Sequence, residues 1–205
     1  MSPIKNLIRK LKYGEPIVVV SGLPRSGTSM AMKMLEAGGY NTIQDGVRTA
    51  DVDNPKGYYE DERVKHLHEM DDKSWVKEAR GRVIKVISFL LKDLPDENEY
   101  RVIFMRRHLD EVLASQNKML DHRGADNETE DARMKELYTA HIGQVESMMR
   151  MRENFSWIDI GFRDMIDKPR EQAEKINAFL GGKMSVEDMV AVPDKKLYRN
   201  KAEAK

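Results

Sequence analysis

Arg25 lies inside a glycine-spaced stretch, "SGLPRSGTS" from Ser21 to Ser29, in which Gly22 and Gly27 permit a tight turn and Ser26, Thr28 and Ser29 supply three hydroxyl groups. These residue types suit an oxyanion. Arginine offers a planar fork of donors, and glycine lets backbone N–H groups come close to a ligand. The spacing is that of the G-x-x-x-x-G-K-[ST] loop, which cradles nucleoside phosphates, but Thr28 stands at the lysine position. The run "PIVVV" (Pro16 to Val20) precedes the loop and reads as a buried strand. A helical pattern from Thr28 to Ala37 follows it and stops at Gly38-Gly39. Strand, turn and helix start together make an anion site, because unbonded N–H groups and the positive end of the helix dipole converge there.

A second group of cations closes the run "YRVIFM" (Tyr100 to Met105), which is followed by Arg106 and Arg107. Magnesium-dependent enzymes with a related loop place an aspartate at such a strand end. Arginines there repel a metal and attract another anion. Ser115 follows Arg107 by eight residues, about two turns into the next helix, and helical side chains lean back toward the N-terminus. Arg107 and Ser115 are therefore expected to close on one phosphate away from the loop. Two anion sites and no evident metal ligand fit a nucleotide with separate 5′ and 3′ anionic groups.

The elements that must hold these residues follow from periodicity. Short β-branched runs alternate with helical patterns, which predicts an α/β fold: a central, mainly parallel sheet flanked by helices in three layers. Further strands are expected at Arg82 to Ile87 and Phe155 to Ile160. Helices are expected near Leu109 to Leu120, Glu130 to Met151 (burying Leu137, His141, Ile142, Val145, Met149 or their neighbours) and from Asp167-Lys168-Pro169 to Gly181-Gly182. Tyr40 to Tyr59 and Asp121 to Thr129 read as irregular connections. The start, "MSPIKNLIRKLKYG", puts Ile4, Leu7, Ile8 and Leu11 on one helical face. A short helix over residues 1–14, docked on the domain, is the expectation, and a membrane-surface helix is the alternative.

Bulk composition narrows the function. The 205 residues suit one domain spanning 1–205, with a C-terminal tail over 191–205. Lysine plus arginine equals aspartate plus glutamate at 35 each, so no global charge points to a nucleic-acid polymer. Cysteine is absent, which excludes disulfides and thiolate metal sites and fits a reducing, cytoplasmic setting. The longest apolar runs are far short of a membrane span.

At these residues the chain resembles the sulfotransferases that use 3′-phosphoadenosine 5′-phosphosulfate (PAPS). "LPRSGTS" matches that family's 5′-phosphosulfate loop from Pro24 to Ser29, and "RHLDEVLAS" matches its 3′-phosphate motif from Arg107 to Ser115. "FRDMIDKPREQAEKINAFLGG" (Phe162 to Gly182) is similar to a third family segment, with Phe162 where many relatives have tyrosine. The resemblance implies PAPS as sulfonate donor, a hydroxyl or amine acceptor on a small molecule or peptide, and no metal. It assigns the nucleotide to Pro24, Arg25, Ser26, Gly27, Thr28, Ser29, Arg107 and Ser115, with Arg199 in "LYRNK" as a further phosphate ligand.

Its catalytic implications are less uniform. The cytosolic enzymes carry Lys-Thr-His at a strand end. Here the counterpart is Lys85-Val86-Ile87, which keeps the lysine and loses the basic histidine. Arg25 and then Lys85 are the candidates to stabilise charge on the leaving phosphate oxygen. Glu60, in "NPKGYYEDERV", is the candidate base, by analogy with families that use glutamate with this kind of loop. Its alternative is a helix-start carboxylate, and Asp61 and Glu62 share both roles. His141 is expected to be a satisfied core residue. Two other functions stay open at this point: an atypical nucleotide kinase, and a non-catalytic nucleotide-binding protein that has kept the fold.

Overall fold

The structure is a computed structural model that describes residues 3–46, 59–122 and 129–194, with side chains from Leu7 onward. Four strands form one parallel sheet in the order β2-β1-β3-β4: β1 Ile17–Gly22, β2 Val83–Lys85, β3 Tyr100–Arg106 and β4 Phe155–Gly161. Every residue of β1 is buried, as its unbroken β-branched run requires of a strand covered on both faces. The register sets Val20 beside Lys85 on one flank and Gly22 beside Met105 on the other. The chain leaves β1, returns as β2 on one side, then crosses to β3 on the other. The crevice beyond the C-terminal ends of β1 and β3 is thus a topological switch point, where open α/β sheets bind ligands.

Alternate residues of β1 and β3 feed two cores. Val18, Val20, Ile103 and Met105 face a layer built by α2 (Thr28–Ala37), α6 (Phe162–Asp167), α7 (Pro169–Leu180) and α8 (Val186–Val190). Ile17, Val19, Val102 and Phe104 face Val64 of α3 (Glu62–Lys65), two 3-10 helices (Ser74–Ala79 and Ser88–Asp93) and α5 (Asp131–Met151). α4 (Leu109–His122) packs its Val112 and Leu113 against Leu23 of the loop and Tyr138 of α5. α7 begins at Pro169 and ends at Gly181, whose φ of 109° is left-handed and suits glycine. The hexapeptide α6 is absent from the sequence expectation. It lies between a strand and a proline-started helix, and is too short to show a helical period.

One expected face is narrowed and another is corrected. α5 buries Tyr138, Val145 and Met149, and leaves Leu137 exposed. The apolar stripe runs through Tyr138, Ile142, Val145 and Met149, and the tyrosine hydroxyl donates to Gln116 Oε1 at 2.7 Å. α1 (Pro3–Tyr13) docks on the domain, but not through its leucines. Arg9 pairs with Glu99 at 3.1 Å and donates to the Glu153 carbonyl at 2.7 Å, and Tyr13 is buried. Leu7, Ile8 and Leu11 are exposed by 59%, 58% and 80%. The Asn54-Pro55-Lys56-Gly57 turn, Arg199 and the tail beyond Asp194 lie outside the described residues.

Candidate functional site

β1 delivers the chain into the loop at the switch point, and Leu23 anchors the loop's first residue in the α4–α5 core. Ser26 N–H bonds the Leu23 carbonyl at 3.1 Å, which closes the turn. The two glycines are required by their surroundings. A Cβ on Gly22 would meet Ser26 Oγ at 2.5 Å and the Met105 carbonyl oxygen at 2.8 Å, and one on Gly27 would run into the Phe162 ring. Gly27, at φ 98°, caps α2, so the first N–H groups of that helix open onto the loop. Ser26 is 1% exposed, and among the described residues its Oγ has no hydrogen-bond partner. A buried hydroxyl in that state costs free energy unless something bonds it. Its position inside the glycine cradle fits an oxyanion as that partner. Pro24 is half-buried on the loop, while Thr28, buried, and Ser29, half-buried, open α2.

Arg25 adopts φ 67°, a left-handed conformation that non-glycine residues seldom take and that stores strain of about 1–3 kcal/mol. Its Nε donates to Ser115 Oγ at 3.0 Å across the crevice. Arg107 is oriented to the loop as well. Its NH1 donates to the Arg25 carbonyl at 3.0 Å, its Nε pairs with Glu111 at 3.0 Å, and its guanidinium lies 4.3 Å from the Phe162 ring centroid. The pair is nearly enclosed, with side-chain exposure of 9% for Arg107 and 5% for Glu111. The loop and the strand-end motif, separate sites in the sequence expectation, are therefore joined: Ser115 meets the loop arginine, and Arg107 braces the loop backbone. Arg106 points the other way, toward Glu146 of α5 and Asp159 of β4 (2.8 Å).

The third part of the site lies beside β2. Lys85 ends that strand, 7% exposed, and its Nζ is 3.1 Å from Glu60 Oε1. Lys65 approaches the same carboxylate at 3.5 Å. Two of the three catalytic candidates are thus in contact, on the strand edge that carries the loop. Asp61 instead caps α3, accepting from Arg63 N–H at 2.9 Å, and Glu62 pairs with Lys65. The helix-start role belongs to Asp61, which leaves Glu60 one residue outside the helix. Tyr59, directly before Glu60, has φ 51°. Among the described residues, Arg25 and Tyr59 are the non-glycine positions with positive φ, and both fall in the site. The Tyr59 hydroxyl donates to Glu36 at 2.6 Å, and burial holds its pKa well above the usual tyrosine range.

Sequence reasoning missed Glu111, although its i,i+4 spacing from Arg107 is a readable ion-pair signal. It noted Phe162 without a role. That ring closes the space beside Gly27 and backs Arg107, contacts that join residues far apart in the chain. His141 shares a 2.9 Å hydrogen bond with Ser88 Oγ and stacks on Phe89 with ring centroids 3.8 Å apart, a satisfied packing role. Among the described residues, no three His, Cys, Asp or Glu side chains converge to hold a metal ion. No helix there is long and apolar enough to cross a membrane.

The model of the sulfotransferase family matches residues 68–185, more than half of the chain. The chain belongs to the sulfotransferase family. The matched segment includes Lys85, Arg107, Ser115 and Phe162, while the glycine loop and Glu60 precede it. In fold, the chain is similar to the sulfotransferase domain of an olefin synthase from Synechococcus PCC 7002. The identity is 15%, the overlap covers 91% of this chain and 83% of that one, and the TM-score is 0.52. Weaker overlaps link it to the sulfotransferase domain of the curacin biosynthetic pathway (15% identity, 90% and 76% coverage, TM-score 0.42). A sugar kinase from Janibacter sp. HTCC2649 overlaps to a similar degree (14%, 88% and 99%, 0.41). No curated protein matches the sequence. The α/β fold with a parallel sheet is the one expected from periodicity.

The His141 environment gives a pH prediction. Burial lowers its pKa below the usual 6.5, so the unfolded chain takes up this proton at a higher pH than the folded one. Stability contributed by neutral His141 is complete above about pH 6.5 and is lost as pH falls toward the folded value. Melting temperatures from pH 7.5 to 5.5 should fall more steeply for the wild type than for His141→Gln. Equal slopes would show that His141 is not held neutral by its surroundings.

Proposed function

We propose that this member of the sulfotransferase family moves a sulfonate group from PAPS to a hydroxyl or amine on a small-molecule or peptide acceptor. The observation that carries this is the enclosed loop hydroxyl of Ser26, unpartnered among the described residues, beside an arginine strained into the crevice and bonded to Ser115. Such a cradle suits the 5′ anionic group of a nucleotide, with the N–H groups at the start of α2 and the hydroxyls of Ser26, Thr28 and Ser29 as donors. Arg107, at the end of β3, and Ser115, in α4, would serve a 3′-phosphate as part of the same coupled site, since both are bonded to Arg25.

In the transfer step, an acceptor oxygen attacks sulfur as the bond from sulfur to the 5′-phosphate oxygen breaks, and the electron pair leaves on that oxygen. In reactions of this type, fixed cations at the developing charge lower the barrier more than any other single effect. Arg25 and Lys85 are the cations assigned to it. The acceptor's proton passes to Glu60, which Lys85 holds in place at 3.1 Å. The N-cap duty of α3 falls to Asp61, which leaves the Glu60 carboxylate to Lys85 and Lys65.

Two outcomes follow. In a thermal melt without added metal, adenosine 3′,5′-bisphosphate should stabilise the protein by about 2.7 kcal/mol at a hundred times its dissociation constant. Mg-ATP should do so weakly. Equal or better stabilisation by Mg-ATP would favour a nucleotide kinase.

Glu60→Gln keeps shape and an acceptor for Lys85, so nucleotide affinity should stay within about threefold while turnover with an alcohol acceptor falls by about 10²–10⁴. Unchanged turnover would remove Glu60 as the base. Nucleotide binding by the wild type without turnover on any acceptor would identify a binding protein that has kept the fold.

A further inference from the structure

The N-terminal helix α1 carries an apolar stripe that the domain does not use. Leu7, Ile8 and Leu11 make up three of the six large apolar side chains exposed among the described residues, and Leu11, at 80%, is the most exposed. Successive helical residues turn by about 100°, which puts these three within one third of the circumference. Arg9 and Tyr13 fall on the opposite side, and they are the residues that dock the helix: Arg9 to Glu99 and the Glu153 carbonyl, Tyr13 by burial. The stripe therefore faces outward because the opposite face is fixed. An eleven-residue helix is marginal alone, so this docking presents the stripe already folded.

Charge identifies what the stripe fits. Lys10 and Lys12 lie at its two edges, both exposed in the last turn, with Lys10 also paired to Glu15 just beyond the helix. The first fourteen residues contain four basic side chains, of which Arg9 is used in docking, and the first acidic residue is Glu15. An outward apolar stripe bordered by lysines is the pattern of a helix lying in the plane of a lipid interface, with lysine stems along the apolar boundary and ammonium groups at the headgroups. The helix also sits at the right end of the molecule. Glu99 and Glu153 lie just before β3 and β4, so α1 spans the edge of the sheet opposite the glycine loop. Met151, exposed by 77%, is two residues from Glu153 and belongs to the same end.

We propose that α1 docks the protein reversibly on an anionic lipid surface through Leu7, Ile8 and Leu11, with Lys10 and Lys12 at the headgroups and the nucleotide crevice facing away. Three apolar side chains and two lysines make a weak anchor, sensitive to salt.

The test is co-sedimentation of the full chain with vesicles of phosphatidylcholine containing 30% phosphatidylserine, and with vesicles of phosphatidylcholine alone. Binding should appear on the anionic vesicles and weaken in 0.5 M sodium chloride. It should drop by about tenfold in a Leu7→Gln/Leu11→Gln double variant, which loses apolar contact but no buried packing. Leu137→Gln, a change at an exposed leucine on α5, should bind like the wild type, and melting temperatures of all three proteins should agree. Absence of vesicle binding by the wild type, or equal binding by the double variant, would overturn the proposal. So would a concentration-dependent dimer in sedimentation velocity that the double variant abolishes, since the stripe would then be covered by a second copy.

Discussion

The arrangement at the C-terminal edge of the sheet depends on the Arg107 guanidinium. It joins three segments that are distant from one another in sequence: the loop through the Arg25 carbonyl, α4 through Glu111, and the start of α6 through the Phe162 ring. Removing an arginine of this kind strands a buried carboxylate, which is far costlier than losing a surface pair. The brace has a local consequence. By holding the carbonyl of Arg25, it helps keep that residue left-handed, and the left-handed turn carries the Arg25 side chain across to Ser115. Gly27 and Phe162 complete the clamp, because no side chain fits between the loop and that ring. Under the proposed function, Arg107 serves as brace and as anion contact together, and Glu111 offsets its charge in the absence of a nucleotide.

Strain has a similar distribution around the candidate base. Tyr59 is held at positive φ by contacts on both sides: its hydroxyl on Glu36 and the following residue's carboxylate on Lys85. Backbone strain persists only where the surroundings over-determine it. Here that places a carboxylate beside a buried lysine at the end of β2, abreast of β1 and on the same edge as the loop. The long connection that precedes Tyr59 thus ends in a fixed geometry.

The sheet and most helices were legible because their signals are local. β1 announces itself by an unbroken β-branched run, and α2 and α7 by glycine stops and a proline start. The loop was legible because glycine spacing reports a backbone requirement directly. What escaped is set by tertiary contact. The helical wheel of α1 cannot say which face docks; one arginine meeting Glu99 outweighs Leu7, Ile8 and Leu11, since a buried carboxylate must find a partner whereas an exposed apolar side chain costs little. On α5, Tyr138 is buried in place of its neighbour Leu137 through its ring contacts and its hydroxyl bond to Gln116. Likewise, the contact of Ser115 with Arg25 rather than with Arg107 follows from a left-handed turn that the sequence does not signal at a non-glycine residue.

The central claim is that the loop arginine and the α4 serine act as one anion-binding unit. The most direct measurement is a double-mutant cycle on the affinity of adenosine 3′,5′-bisphosphate, measured by calorimetry for the wild type, Arg25→Ala, Ser115→Ala and the double variant. Residues that share a ligand group and a hydrogen bond should couple by about 0.5–3 kcal/mol, so the double variant should lose less affinity than the two single losses combined. Additive losses would show that Arg25 and Ser115 act independently, as two separate anion sites, and would contradict the account.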